Sequence, residues 1–304
     1  MPVIYLKLVL TAFFWGGTFI AGRILSQDLD PFTAAFLRFV FATSFLLFIL
    51  LRTERRLPPM DLKKGGFLFL LGMTGVFSYN VFFFLGLQTV TAGRAALIIA
   101  LNPVLITFSS ALLLRERIRP AQGLGIVFCL VGASVVIARG NPLDLLQGTA
   151  GWGELFLLLC VVSWVSYSLL GKKVMGYYSP VASVTYSCIF GTAALLVPAL
   201  LHDLTSSLAS ISMLGWGCLL YLGIFGTGLG FSWYYQGIQK IGPTRAGVFI
   251  NLVPVSAILL SALILDEPLT GALLAGGGLV LAGLSLTNLP GIRLLGRRHA
   301  HTEC

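Results

Sequence analysis

RAALIIALNP, residues 94–103, and RAGVFINLVP, residues 245–254, are two versions of one stretch, and their relation decides the fold. Arg94, Pro103, Glu116 and Gly132 are matched by Arg245, Pro254, Glu267 and Gly283, each pair 151 positions apart (245 − 94, 254 − 103, 267 − 116, 283 − 132), and Gly86 pairs with Gly237 at the same offset. Nearer the start of each half, Trp15 pairs with Trp164 and Pro31 with Pro180 at 149 (164 − 15, 180 − 31). A 304-residue chain that repeats near half its length is a duplication. In a membrane protein, duplicated halves point to a transporter with its site at their interface.

Composition puts the chain in a membrane. It is 57% hydrophobic and 10% charged, with a mean hydropathy of +0.93, where ordinary soluble domains carry about 25% charged residues. Its apolar runs suit a hydrocarbon core of about 30 Å, which takes roughly 20 helical residues to cross. Ten spans read at about 4–24, 31–51, 66–87, 93–114, 120–138, 151–171, 179–200, 212–238, 244–264 and 270–288. Short connections with turn residues separate them, as at Asp28 to Pro31, Arg139 to Pro142 and Gly242-Pro243. The first run is expected to be retained as a span and not cleaved, because its Trp15 matches the internal Trp164.

Lys and Arg set the orientation. With the N-terminus inside, the cytoplasmic side holds Lys7, Arg52, Arg55, Arg56, Lys63, Lys64, Arg115, Arg117, Arg119, Lys172, Lys173, Lys240, Arg245, Arg293, Arg297 and Arg298; the outer side holds Arg23, Arg38, Arg94 and Arg139, a split of 16 to 4. The expected fold is an all-α membrane protein of ten transmembrane helices, N-in and C-in. It comprises a first repeat at 4–138, a second at 151–288 and a basic cytoplasmic tail at 289–304. Five helices per repeat is an odd number, so the second repeat enters from the opposite side. Arg94 then starts its helix at the outer face and Arg245 at the inner face, which makes the repeats inverted.

These residues resemble the drug/metabolite transporter superfamily, and within it the ten-helix EamA-type members, over nearly the whole chain. The resemblance rests on Trp15-Gly16-Gly17-Thr18-Phe19, Pro31, Arg38-Phe39, Gly86, Arg94-Ala95-Ala96, Pro103, Glu116 and Gln122-Gly123, and in the second half on Arg245-Ala246-Gly247, Pro254 and Asp266-Glu267-Pro268. It implies helices 1–4 and 6–9 around a central cavity, helices 5 and 10 to the side, and export of amino acids or related metabolites, as in the YddG-type aromatic amino acid exporters.

Candidate substrate-binding residues follow from what hydrocarbon penalises. Pro103 and Pro254, near the middle of their helices, deprive the carbonyls of Ile99 and Ile250 of their usual donors. The kinks either pack against a neighbour or line a cavity, and both arrangements allow a hinge. Asn80, Asn102 and Asn251 lie at similar depth, where each amide serves as interhelical glue or as part of a polar cavity. Trp15, Thr18, Tyr79, Phe83, Trp164, Tyr167, Tyr186, Trp233, Tyr234 and Tyr235 fall on the cavity-forming helices. An aromatic slot suits flat or apolar side chains and holds a cation on its π faces. Arg38 lies about 10 Å below the outer end of its helix. It either snorkels to helix-end carbonyls or attracts a substrate carboxylate or other anion.

Acidic residues are informative by position. Glu154 is about one turn into its helix, Glu116, Asp266 and Glu267 are at helix ends, and none is near the bilayer centre. The small multidrug antiporters of the same superfamily use a carboxylate on the first helix, where this chain has Trp15-Gly16-Gly17. That departure favours facilitated diffusion or exchange of neutral or zwitterionic solutes over proton-coupled antiport of cationic drugs. The cysteines show no metal spacing; Cys129, Cys160, Cys188 and Cys218 lie in apolar spans as small hydrophobes and Cys304 ends the chain, so neither metal nor disulfide is expected. His202, His299 and His301 lie in loops or the tail, and no HExxH, GxSxG or P-loop lysine is present, so no enzyme and no cofactor is expected. The net charge of +9 sits in short loops as a topology signal, so nucleic acid is not an expected partner. The expected partners are a small-molecule substrate and the lipid bilayer of a bacterial inner membrane, with the protein a monomer or homodimer. Glycines at 123 and 125, and at 276 to 278, permit close helix packing within or between copies. Alternatives to amino acid export are transport of quaternary amines or other amphiphilic cations and, more remotely, lipid handling.

Overall fold

A computed structural model describes residues 2–55, 57–60, 62–114, 119–140, 151–174, 176–202, 204–241 and 243–287. The tail at 289–304, with His299, His301 and Cys304, lies outside them, as do Arg56, Arg115, Glu116, Arg117, Pro142 and Gly242; for Lys63, Lys172, Tyr235 and Arg245 only the backbone is described.

The described elements are all helical. The first repeat holds α1 (Pro2–Asp28), α2 (Pro31–Glu54), α3, α4 and α5 (Pro120–Ile137). The second holds α6 (Trp152–Val174), α7 (Pro180–Leu201), α8, α9 and α10 (Gly271–Thr287), with a short helix Leu204–Ser210 after α7 that the hydropathy pattern does not announce. Nine of the described helical spans are long and apolar enough to cross a bilayer, and α10 is a shorter apolar helix of 17 residues. The starts of α2 and α7 obey the same local rule. Asp30 accepts from the amides of Phe32 (2.9 Å) and Thr33 (3.2 Å) ahead of Pro31 in the first turn. Its repeat-mate Ser179 accepts from Ala182 ahead of Pro180. Both use a side-chain oxygen to satisfy amides that the helix leaves open, and a proline that needs no partner.

Four interrupted helices carry most of the information. α3 runs from Leu62–Leu71 through a π-helical stretch, Gly72–Ser78, into Tyr79–Thr89. α8 does the same, from Met213–Leu220 through Tyr221–Leu229 into Gly230–Ile241. The two π stretches end at matching positions (229 − 78 = 151). In α4, Ala92–Ile99 breaks before Asn102–Leu114; in α9, Pro243–Ile250 breaks before Leu252–Ile264. The proline kinks expected at Pro103 and Pro254 thus open two or three residues upstream. There Leu101 N bonds to Ile98 O (3.1 Å) and Asn251 N to Val248 O (3.2 Å), tight turns one residue short of the α-helical pattern.

The repeats meet through reciprocal contacts. α5 and α10 cross at glycines. A β-carbon on Gly125 would lie 2.6 Å from Gly283 O, and one on Gly132 would lie 2.6 Å from Gly276 O. Gly125 is the repeat-mate of Gly276, and Gly132 of Gly283, so each contact is the image of the other. Between them Cys129 Sγ donates to Val280 O (3.4 Å), and these two positions are themselves repeat-mates (280 − 129 = 151). Equivalent helices that cross antiparallel on equivalent residues are related by a two-fold axis perpendicular to both. The inversion inferred from parity is therefore visible in backbone packing alone. The axis also passes between α2 and α7, where Thr43 and its mate Thr192 share a hydroxyl hydrogen bond of 3.0 Å. With lipid as apolar as leucine, such small-residue contacts and interhelical hydrogen bonds hold the bundle together.

Candidate functional site

Each π stretch changes the hydrogen-bond pattern of its helix and leaves carbonyls that need partners from neighbouring helices. The same stretches bring backbones close: a β-carbon on Gly72 would be 2.8 Å from Ser187 O of α7, and one on Gly223 would be 2.9 Å from Arg38 O of α2. Arg38 is thereby pinned by its own backbone against α8, with its side chain in the interior between the repeats.

Its surroundings are polar at a few points and apolar elsewhere. Arg38 is 8% exposed and Asn80 1%. The guanidinium donates Nη1–H to Asn80 Oδ1 (2.8 Å), and Nη2 lies 3.5 Å from Thr227 Oγ1. Asn80 in turn donates Nδ2–H to Val76 O (2.8 Å) and, at 3.4 Å, to Gly75 O, both in the π stretch of α3. The rings of Phe39 and Phe83 lie 5.3 and 5.9 Å from the guanidinium carbon. Arg38 Nε is sealed from solvent and has no acceptor. No carboxylate among the described residues pairs with it.

A cavity of about 580 Å³ opens beside this group, walled by α1–α4 and α6–α9 with Leu284 of α10 at one edge. Trp15, Thr18, Arg38, Tyr79, Asn102, Pro103, Trp164, Tyr167, Tyr234, Asn251 and Pro254 all line it. Asn80 lines an adjoining recess of about 40 Å³ together with Arg38, Trp164 and Thr227. Among the lining residues Arg38 alone carries a charge. Asn102 Oδ1 and Ser183 Oγ, also on the lining residues, are buried without a partner.

Three residues expected here sit elsewhere. Phe83 is buried behind the wall, stacked with Tyr79 and edge-on to Phe19. Trp233 packs on Phe14, with the Lys7 ammonium 5.7 Å from its ring. Tyr186 donates its hydroxyl to Pro58 O and meets Tyr178 edge-on, in a separate cluster with Leu50, Leu68 and Leu71. Thr227, Phe231 and Ser183 join the site without having been singled out. The first could have been found from the matched Gly72-x-x-Gly75 and Gly223-x-x-Gly226, since Thr227 adjoins the second pair.

At one end three contacts tie the walls, the first two of them across the repeats. Glu267, after α9, accepts from the first amides of α4, Ala92 (2.8 Å) and Gly93 (3.1 Å). Arg94 pairs with Glu154 of α6 at 2.8 Å, and Arg23 donates to Leu87 O. Toward the opposite end the cavity lining continues to Thr107, Gly171, Ser183 and Gly247.

The EamA-like transporter family model matches residues 3–138 and again 151–289, one copy on each repeat. The chain belongs to the EamA-like transporter family. Like its relatives this EamA-like protein is a transporter and not an enzyme, and it is a multi-pass integral inner-membrane protein. It is 30% identical over 92% of each chain to the "Uncharacterized transporter YyaM" of Bacillus subtilis. It is 28% identical, over 92% of each chain, to the "Probable amino-acid metabolite efflux pump" of Salmonella typhimurium. A solved crystal structure aligns at a TM-score of 0.66 and 23% identity, covering 98% of this EamA-like chain and 99% of the other, which shows a common fold.

Proposed function

We propose that this protein exports amino acids, with aromatic or otherwise apolar side chains preferred, by alternating access across ten N-in, C-in helices. The observation that carries the reading is the central cavity: a single guanidinium, with a few neutral amides and hydroxyls, at a surface otherwise built from tryptophan, tyrosine, phenylalanine and aliphatic groups. Such a lining suits a solute with an anionic end and a flat or greasy body. The relative named for amino-acid metabolite efflux supports it. In this reading Arg38, Asn102, Trp15 and Trp164 contact the cargo, Asn80 orients Arg38, and the breaks ahead of Pro103 and Pro254 are hinges. The cavity reaches toward the end that the positive-inside count places in the cytoplasm. The Glu267, Arg94 and Arg23 contacts close the other end, as in an inward-facing carrier. A quaternary amine would find aromatic faces here, but it would have to sit beside an uncompensated guanidinium with no carboxylate among the lining residues.

Counterflow tests the reading. Proteoliposomes preloaded with unlabelled phenylalanine, tryptophan or leucine should accumulate the labelled amino acid, saturably and with mutual competition. If no amino acid moves in either direction under these conditions, the proposal fails.

A further inference from the structure

In a duplicated fold, a contact present in both halves is scaffold, and a contact broken in one half calls for a reason. Several contacts around the cavity are kept. Thr18 packs on Gly226 where its mate Tyr167 packs on Gly75. Leu8 packs on Gly237 where its mate Leu157 packs on Gly86. The indole hydrogen bond of α1 is not kept in α6. Trp15 Nε1 donates to Gly226 O at 2.9 Å, so its indole N–H is fully committed. The matching acceptor for Trp164 would be Gly75 O (226 − 151), but that carbonyl faces Asn80 Nδ2 at 3.4 Å. Asn80 has no counterpart in the other half, where Phe231 stands at its position (231 − 80 = 151). No hydrogen bond among the described residues uses Trp164 Nε1. Its ring is held instead by Tyr79, Tyr167 and Phe231, at centroid distances of 5.1 to 6.2 Å.

The displaced donor has company. A guanidinium carries five N–H groups, and Arg38 gives one to Asn80 and a long one to Thr227, leaving the rest and its full charge without an acceptor. Arg38 and Trp164 both line the recess of about 40 Å³, more than the roughly 10–15 Å³ that a single water requires. A buried donor that lacks an acceptor, as Arg38 Nε does, is costly in a low dielectric, and an anion relieves it. Trp164, half-buried at the same recess, adds an N–H with no acceptor among the described residues. Arg38 and Asn80 have no counterparts of their kind across the pseudo-two-fold, since their mates are Ser187 and Phe231. The recess is thus a feature of one half only.

We infer that this recess is a carboxylate subsite, in which Arg38 and the indole N–H of Trp164 together hold the carboxylate of the cargo while its side chain extends into the aromatic cavity. The inference rests on the amino acid reading and narrows it: the site selects for a carboxylate before it selects for an ammonium. Asn80 is a positioning residue, because it orients the guanidinium and occupies the carbonyl that would otherwise take the Trp164 N–H.

The probes are phenylalanine, 3-phenylpropionate (carboxylate, no amine) and phenethylamine (amine, no carboxylate), with affinity read by ligand-induced thermal stabilisation of the full-length protein. Wild type should bind both carboxylates and bind phenethylamine at least tenfold more weakly. Trp164→Phe keeps the ring and loses the N–H; it should lower the carboxylate-to-amine affinity ratio about tenfold, the scale of a hydrogen bond to a charged group. Trp15→Phe, which removes a donor already committed to Gly226 O, should shift all three probes alike and leave the ratio unchanged. Arg38→Lys retains charge but loses the planar fork, and should reduce the ratio further than Trp164→Phe. Equal binding of phenethylamine and 3-phenylpropionate by the wild type, or the same ratio change in both tryptophan variants, overturns the subsite. Phenylalanine counterflow without carboxylate preference would remove the subsite and leave amino acid export standing. Carboxylate preference without amino acid flux would do the reverse.

Discussion

Trp15 and Trp164 occupy matching turns of α1 and α6, face the same cavity from opposite repeats, and differ in one hydrogen bond. Trp15 is tied to the π stretch of α8 through Gly226 O, whereas Trp164 is held by ring contacts alone. The difference arises one helix away, at Asn80 on α3 against Phe231 on α8. A two-fold scaffold therefore carries an asymmetric site, because a polar side chain on one half redirects a carbonyl that its mate leaves available. Symmetry accounts for the crossing of α5 and α10, the matched π stretches and the matched helix breaks. Departure from symmetry accounts for the polar recess.

The comparison can be broken first at its scaffold. Gly132→Leu places a side chain where a β-carbon already falls 2.6 Å from Gly276 O. The two-fold contact cannot form around it, and the expected outcome is loss of the monodisperse, folded species on size-exclusion chromatography. Next in size, Asn80→Leu removes the acceptor of the Arg38 guanidinium and the donor to Val76 O. It should destabilise the ligand-free protein by about 2–3 kcal/mol, as for a buried hydrogen bond to a charged group, read as a lowered Tm. Phe231→Leu, at the matching position, removes ring contacts with Trp15 and Trp164 without touching a side-chain hydrogen bond and should have a smaller effect.

A third variant probes the ends of the molecule. Glu267→Gln weakens a charged cap on α4 that spans the repeats and sits at a positive helix end, worth roughly 0.3–1 kcal/mol at an exposed terminus. Under the inward-facing reading it shifts the carrier toward the outward state. That should appear as faster reaction of a cysteine placed at Phe19 with an impermeant thiol reagent added outside. The smallest expected effect sharpens the comparison itself. Trp15→Phe should lower the stability of the ligand-free protein by about 1 kcal/mol, the net value of one neutral hydrogen bond. Trp164→Phe should lower it by less, because no such bond is lost. Equal losses in the two variants would show that the indoles are equivalent after all.

Much of this was legible in the sequence, and the parts that were not share a cause. The spans follow from hydropathy, and the caps at Asp30 and Ser179 follow from the residue before each Pro. Trp15, Arg38, Asn102 and Trp164 reach the cavity lining from reasoning about what hydrocarbon penalises. Hydropathy and residue type do not separate Tyr79, which lines the cavity, from Phe83, which lies one turn further on behind it. The π stretch alters which face of α3 turns inward, and hydropathy is blind to that change. Tyr186 has the composition of a site residue, but its hydroxyl reaches Pro58 O in the connection between α2 and α3, a partner far away in sequence.

By itself the sequence determined the membrane environment, the duplication and, through an odd helix count, the inversion. Those properties depend on apolar runs and on residue offsets, which are properties of a line. Only the tertiary structure decided which donors are left over. Whether the indole of Trp15 or of Trp164 is available depends on which carbonyl a π stretch frees and on whether a side chain of that same helix, as Asn80 does on α3, arrives there first. Hydrogen bonds in a bilayer interior are allotted among helices in contact, and that allotment exists only once the helices are packed.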